Sequence, residues 1–219
     1  MSKLLKIKEA FYTLQGEGAR AGRASVFIRF SKCNLWNGKE SGRAAALCQF
    51  CDTDITGTDG ENGGEYSLDE LVNLALSLWP NMGLGEPYIV FTGGEPALQL
   101  STPVVSEFKK AGFECAIESN GTLPLPENLD WVCISPKGKS EIIITTCDEL
   151  KLVYPQTDIL PEDVSNIKAS HYYLSPMADY GIENSGMIIR ENMQAATQYC
   201  LSNPKWRISL QTHKLLGIA

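Results

Sequence analysis

The sequence has 219 residues, 19 basic and 26 acidic side chains, a net charge of −7 and 43% hydrophobic residues. A chain of this length favours one domain over two and buries roughly 70% of its unfolded surface, so it needs no disulfide staples. The acidic balance argues against a nucleic-acid-binding face, although one or two local arginines suffice to hold a small anion. No apolar run approaches the ~20 residues of a membrane span, and Met1–Lys6 lacks the apolar core of an export signal. With seven cysteines, an odd number, the expectation is a reducing cytoplasm and thiols available for metal.

Taken in chain order, a short edge strand near Leu4 to Ala10 leads into Phe11–Gly18, a polar loop punctuated by glycine. Ser25 to Phe30 is β-rich and apolar except for Arg29. A charge in a buried strand needs a partner, so Arg29 is either salt-bridged or a binder of carboxylate; its place just before Cys33 favours the second. Residues 54–66 read as a surface loop. Ser67-Leu68-Asp69-Glu70 is a capping box opening a helix whose stripe is Leu71, Val72, Ala75 and Leu78, and which ends before Pro80.

Tyr88–Phe91 is a continuous apolar run of buried parallel-strand type. It breaks at Thr92-Gly93-Gly94-Glu95-Pro96 and enters a helix through Ser106–Lys110 to Gly112. Strands follow at Glu114 to Ile117, Trp131 to Ile134, Leu150 to Tyr154 and Tyr172 to Leu174; Ser135-Pro136-Lys137 ends the second and Ser175-Pro176-Met177 the last. A long helix covers about Ile188 to Leu201, and a final strand, Trp206 to Leu210, leads into Gln211-Thr212-His213-Lys214. About six core strands, from the Val26 strand to the Tyr172 strand, with full helices after only the first, second and last, describe an α/β fold: an incomplete parallel (β/α) barrel spanning residues 1–219 as one domain. In such folds chemistry collects at the C-terminal ends of the strands, where each of these glycine- or proline-marked turns lies.

The most informative stretch is Cys33 to Thr53. Cys33, Cys48 and Cys51 are separated by fourteen and two residues and follow directly on the Val26–Phe30 run. Three thiolates are one short of a closed structural zinc site, and an iron–sulfur cluster held by three cysteines keeps one iron free for an outside ligand. By themselves the cysteines admit such a cluster, a zinc site completed by His171 or His213, or buried core thiols. Cys115, Cys133, Cys147 and Cys200 are expected in core positions.

A strand ending in three cysteines, followed one βα unit later by Gly93-Gly94-Glu95-Pro96, resembles the radical S-adenosylmethionine (SAM) superfamily. The fourteen-residue spacing departs from that superfamily's usual three and two, and resembles one family in particular, the 7-carboxy-7-deazaguanine synthases. Thr13–Gly18, Phe27–Phe30, Cys51-Asp52-Thr53, Thr92–Pro96, Ser135–Lys137 and Gln211–Lys214 are also similar to that family. Ser175-Pro176-Met177-Ala178 stands where some relatives carry Gln-Pro-Met-Asp.

The resemblance implies conversion of 6-carboxy-5,6,7,8-tetrahydropterin to 7-carboxy-7-deazaguanine with loss of ammonia, on the route to queuosine. It implies a [4Fe-4S] cluster on Cys33, Cys48 and Cys51, SAM, and Mg²⁺ on Thr53. Flavodoxin or ferredoxin is implied as electron donor, and a homodimer as the assembly. It puts Gly93, Gly94, Glu95, Ser135, Pro136, Lys137, Ser175, Pro176, Met177 and Ala178 around SAM, the backbone and carboxylate oxygens of the Gly-Gly-Glu segment meeting its ammonium. Leu14, Gln15, Gly16, Glu17, Thr92 and His213 then frame the pterin, and Arg29 pairs with its carboxylate. Leu215–Ala219, an apolar tail, is expected to pack and to bring the Ala219 carboxylate to the pterin's donor edge. The competing readings are another radical SAM enzyme, such as a glycyl-radical activase, and a zinc-stabilised binding module.

Overall fold

Ten residues, Leu5–Leu14, mostly buried as far as Phe11, form β1 and pair antiparallel with β2 (Ala24–Phe30). β2 in turn pairs parallel with β4 (Tyr88–Gly93), which is buried along nearly its whole length, as a strand covered on both faces must be. From there β5 (Glu114–Ser119), β6 (Trp131–Ile134), β7 (Thr146–Tyr154), β8 (Lys168–Pro176) and β9 (Trp206–Ile208) continue the parallel array. The computed structural model describes residues 4–80, 83–179 and 189–218.

Among the described residues the sheet is nine-stranded, with β3 (Gly64–Tyr66) at one edge, in the order β3-β1-β2-β4-β5-β6-β7-β8-β9, so it is mixed, mostly parallel and not closed by hydrogen bonds. The expected incomplete barrel of about six core strands is therefore short in its count: β9 extends the parallel run, and β1 and β3 add an antiparallel edge. β3 (Gly64–Tyr66) lies inside the segment read as loop; it is only three residues long and exists through its pairing with Leu5–Ile7 of β1. Among the described residues no helix is long and apolar enough to cross a membrane.

Helices follow β2, β4 and β8 as expected. α1 (Leu68–Leu78) starts at the capping box: Ser67 Oγ accepts from Glu70 N and Glu70 Oε2 accepts from Ser67 N at 2.8 Å. α2 (Thr102–Lys110) begins four residues before the expected Ser106, because Pro103 suits a helix's first turn, where its missing N–H costs nothing. α3 (Arg190–Ser202) packs on β8 and β9; the expected start at Ile188 lies outside the described residues. α4 (Thr212–Leu216) is a single short helix ended by Gly217 in the left-handed conformation. The apolar residues of this tail do not pack as expected: Leu215 is 63% exposed, Leu216 62% and Ile218 39%. A five-residue helix on the rim has room to turn only one side inward, and that side carries His213.

One core lies between the sheet and α1 and α2, where Phe91 meets Phe108 edge-on at 5.1 Å and Phe30 at 6.3 Å. A second, around Ile134, Leu150, Leu152 and Leu174, is covered by α3 and the segment near Val164. Cys115 and Cys133 are buried as expected, whereas Cys147 and Cys200 are only partly covered. Phe91→Ala should lower stability by about 3–5 kcal/mol, the usual result of emptying a fully buried aromatic site; the urea midpoint of unfolding measures it.

Candidate active site

At the end of β2 the chain turns through Lys32, whose φ of 77° is left-handed. The loop that follows is tied off at its base, Lys32 N donating to Ile55 O at 2.9 Å. Within it, Arg43 of the 3₁₀ turn Glu40–Ala45 donates to the carbonyls of Gln49 at 2.9 Å and Cys51 at 3.0 Å, and its guanidinium lies 4.3 Å over Trp36. The long insertion thus folds back to hold the Cys48–Cys51 segment. The Cys48 and Cys51 thiols hydrogen-bond each other, which lowers Cys51 to about 7 and raises Cys48, while burial raises Cys33.

Directly beside this loop, Gly94 N donates to Phe30 O at 3.1 Å and Glu95 N to Lys32 O at 2.9 Å. A Cβ on Gly94 would run into the Lys32 carbonyl, so only glycine permits this approach. The Glu95 carboxylate turns inward. It is fully buried and accepts from Ser119 Oγ at 2.8 Å, Asn120 N at 2.8 Å and Ala97 N at 3.0 Å. The backbone of the Gly-Gly turn faces the cavity; the carboxylate expected to do so instead clamps β4 to the end of β5.

These turns ring one cavity of about 660 Å³. Cys33, Cys48, Cys51, Thr53, Gly93, Gly94, Ser135, Lys137, Ser175, Pro176, Met177 and Ala178 line it, as do Leu14, Gln15, Gly16, Glu17, Arg29, Thr92 and His213. Glu95 and Pro136 do not, and Ala219 lies outside the described residues. His171 lies against Trp131, ring centroids 5.6 Å apart and tilted, and does not line the cavity that the thiols face. Lys137 Nζ donates to Ser135 Oγ, and Met177 N to Tyr154 O at 2.8 Å, which fixes the turn after β8.

On the opposite wall, the Gln15–Gly18 turn is held by the C-terminal segment: Thr212 N donates to Gly16 O at 2.9 Å and Gln211 Nε2 to Glu17 Oε1 at 3.0 Å. A side chain at position 16 would strike the His213 ring. Burial lowers the His213 pKa, so the ring is neutral near pH 7 and offers one donor and one acceptor. Arg29 has a partner, Glu9, whose Oε1 accepts from Nε at 2.7 Å, and both line the cavity.

Several lining residues escaped sequence reasoning: Lys8, Glu9, Asp52, Glu118, Lys151, Gln211 and Lys214. Lys151 and Glu118 sit within strands, where an isolated charge was the available signal.

Among the described residues no three His, Cys, Asp or Glu side chains close on a point as ligands of a single ion. Three thiols facing a common cavity are instead the donor set of a polynuclear cluster with one open iron, so the residues fit the group. An open, mostly parallel α/β sheet carrying such thiols and a Gly-Gly turn at the rim of a polar cavity defines an enzyme of the radical SAM class.

Relatives agree. A 7-carboxy-7-deazaguanine synthase of Bordetella pertussis is 48% identical over 213 residues, covering 97% of this chain and 98% of the relative. The chain belongs to the 7-carboxy-7-deazaguanine synthase family. The synthase of Nitratidesulfovibrio vulgaris is 49% identical over 218 residues (97% and 98% covered), and that of Haemophilus influenzae 32% over 226 (97% and 93%). The crystal structure of QueE from Escherichia coli shares the fold, with a TM-score of 0.67 at 24% identity over 94% of this chain and 93% of that one. No protein-family model matches the sequence.

Glu95→Ala would leave Ser119 Oγ, the buried Asn120 N–H and the partly buried Ala97 N–H without their acceptor. It should cost about 3 kcal/mol or more of stability, read from chemical denaturation, with Glu95→Gln milder.

Proposed function

We propose that the chain converts 6-carboxy-5,6,7,8-tetrahydropterin to 7-carboxy-7-deazaguanine with loss of ammonia, acting as one domain over residues 1–219. The observation that carries this reading is that the thiols and the Gly-Gly turn share one cavity with Gln15, Glu17, Arg29, Thr92 and His213. Cys33, Cys48 and Cys51 would hold a [4Fe-4S] cluster. When bound, the cluster and SAM supply a carbon-centred radical for hydrogen abstraction; the protein supplies placement and exclusion of water.

The backbone of Gly93 and Gly94 offers carbonyl oxygens to the ammonium of SAM, and Ser135, Lys137 and the Ser175–Ala178 turn border its remaining groups. Arg29, braced by Glu9, presents a guanidinium to the substrate carboxylate, the geometry that favours paired hydrogen bonds. Glu17 accepts from the donor-rich edge of the pterin, and the neutral His213 complements it. Thr53, beside Cys51 on the cavity wall, is a hard oxygen suited to Mg²⁺ shared with substrate oxygens. An electron from flavodoxin or ferredoxin, a homodimeric assembly and a cytoplasmic location complete the reading.

Anaerobically reconstituted protein given SAM, a reductant and the tetrahydropterin should form 7-carboxy-7-deazaguanine, detected by mass spectrometry, with turnover lost on removing Mg²⁺ and restored on returning it. Cys48→Ala should fail to retain the cluster, measured as iron per chain. 5′-Deoxyadenosine without that product would keep the enzyme class and overturn the substrate; a colourless, zinc-loaded protein would overturn the cluster. Separately, Arg29→Ala should weaken substrate binding by about 2–3 kcal/mol, the range for a lost charge-assisted pair; an unchanged dissociation constant would remove Arg29 from the carboxylate site.

A further inference from the structure

The floor of the cavity holds a charge cluster of which the reading above uses only Glu17. Lys151, on β7, is 5% exposed, and its ammonium lies 2.7 Å from Glu17 Oε2 and 3.2 Å from Glu118 Oε2. Both carboxylates are gripped at their other oxygen: Gln15 Nε2 donates to Glu118 Oε1 at 2.9 Å, and Gln211 Nε2 to Glu17 Oε1 at 3.0 Å. Strand register carries the cluster further inward. Glu118 of β5 lies beside Cys133 of β6, and Cys133 beside Glu149 of β7. Glu149 is met by Ala19 N at 2.9 Å and the Cys133 thiol at 3.6 Å. One ammonium therefore pairs with the two carboxylates that line the cavity, Glu17 and Glu118, with a third, Glu149, set behind them.

Stability alone is a poor reason for such an arrangement, because the desolvation of buried ions cancels most of their attraction. What Lys151 does control is the state and direction of its neighbours. We infer that Lys151 is a positioning residue for the substrate: it holds the Glu17 carboxylate ionised and aimed into the cavity, and so sets the affinity for a ligand presenting a row of N–H donors. The inference rests on the substrate reading above.

Burial by itself would push the Glu17 carboxyl up; the charge and hydrogen bond of Lys151, helped by Gln211 and His213, overcome it and hold the group at about 2. Burial likewise pulls Lys151 down, but Glu118 and Glu17 outweigh it and keep the ammonium charged. Without the lysine, Glu17 would face Glu118 and Glu149 from the sheet, and Arg20, which borders a small cavity with these three, is already paired with Glu114 at 2.9 Å. Carboxylates sharing a site cannot all ionise, so one pKa rises steeply. Cys133 on β6 adds no compensating charge, and His213 on α4, itself under the influence of Lys214 and Asp52, is present equally in every variant. The sign follows. Glu17 in such a variant takes a proton at neutral pH and loses acceptor capacity, so affinity falls, and raising the pH restores it.

The test is calorimetric binding of 6-carboxypterin, a stable analogue, to the anaerobically reconstituted enzyme with SAM, at several points from about pH 6 to about pH 9. Ratios of variant to wild-type dissociation constants cancel the titration of the ligand. Lys151→Met should bind about 10- to 100-fold more weakly at the acid end, one to two pKa units' worth of lost interaction, with the ratio closing as pH rises. Lys151→Arg, which keeps the charge, should stay within about threefold of wild type across the range. Where Lys151→Met does not fold, Lys151→Met/Glu118→Gln removes opposite charges together and should show the same trend. A ratio that is constant with pH, or no loss at all, in the variant that folds overturns the inference. Wild-type enzyme that does not bind 6-carboxypterin overturns the substrate reading first, and the inference with it.

Discussion

The contact on which the site depends is a backbone seam between β2 and β4. Phe30 stands beside Gly93 in the parallel register, Gly94 N donates to Phe30 O, and Glu95 N donates to Lys32 O. No side chain fits at Gly94, and Gly93 adopts a φ of 141°, a conformation that L residues other than glycine rarely take. Because Cys33 follows Lys32 directly, the seam welds the thiol loop to the Gly-Gly turn. The buried Glu95 carboxylate extends the weld to β5 through Ser119 and Asn120. Three strand ends thus move as one, and a cluster and a cofactor bound across them would be held at a fixed separation by main chain rather than by flexible side chains.

How much of this was legible in the sequence depends on whether a residue's role is local. The strand-end turns were, because glycine and proline punctuate apolar runs and parallel connection forces all of them onto one mouth. So was the cap of α1, where Ser67 and Glu70 satisfy each other within four residues. β3 was not: Gly64–Tyr66 has no pattern of its own and is a strand only because Leu5–Ile7 lies alongside. Nor was the exposed tail, since an apolar run says that burial is favourable and not that a surface is available to bury it. The family resemblance supplied most of the rim residues, yet it gave Glu95 a cavity-facing carboxylate where the fold gives it an internal one.

Interior charges were the hardest to read. In Leu150-Lys151-Leu152 the alternation suggests an ordinary strand with its lysine in water. That conclusion holds for a flat sheet with one wet face. Here the sheet curves so strongly that the turn after β1 meets β7, Ala19 N donating to Glu149, and the end of β9, Gly18 N donating to Ser209 Oγ at 2.9 Å. The polar faces of β5 and β7 therefore look inward at Glu17 rather than outward, and a charge there has to be answered by another charge.

That curvature also explains why an unclosed sheet can make an enclosed site. β3 and β9, the two edges, are each three residues long and never pair with one another. Closure is achieved instead by the segment after β9, whose Gln211, Thr212 and His213 dock on Gln15–Glu17, while Lys214 reaches Asp52 of the thiol loop at 2.9 Å. A hydrogen-bonded ladder would fix the mouth at the diameter that strand number and tilt dictate. A strap of side chains has no such constraint, so the cavity can be wide enough for a cofactor and a heterocycle together while its lining carboxylates remain tied. The Glu17 carboxylate, carried just after β1, is then held by residues from the far side of the sheet, with Gln211 from the segment after β9 at one oxygen and Lys151 of β7 at the other.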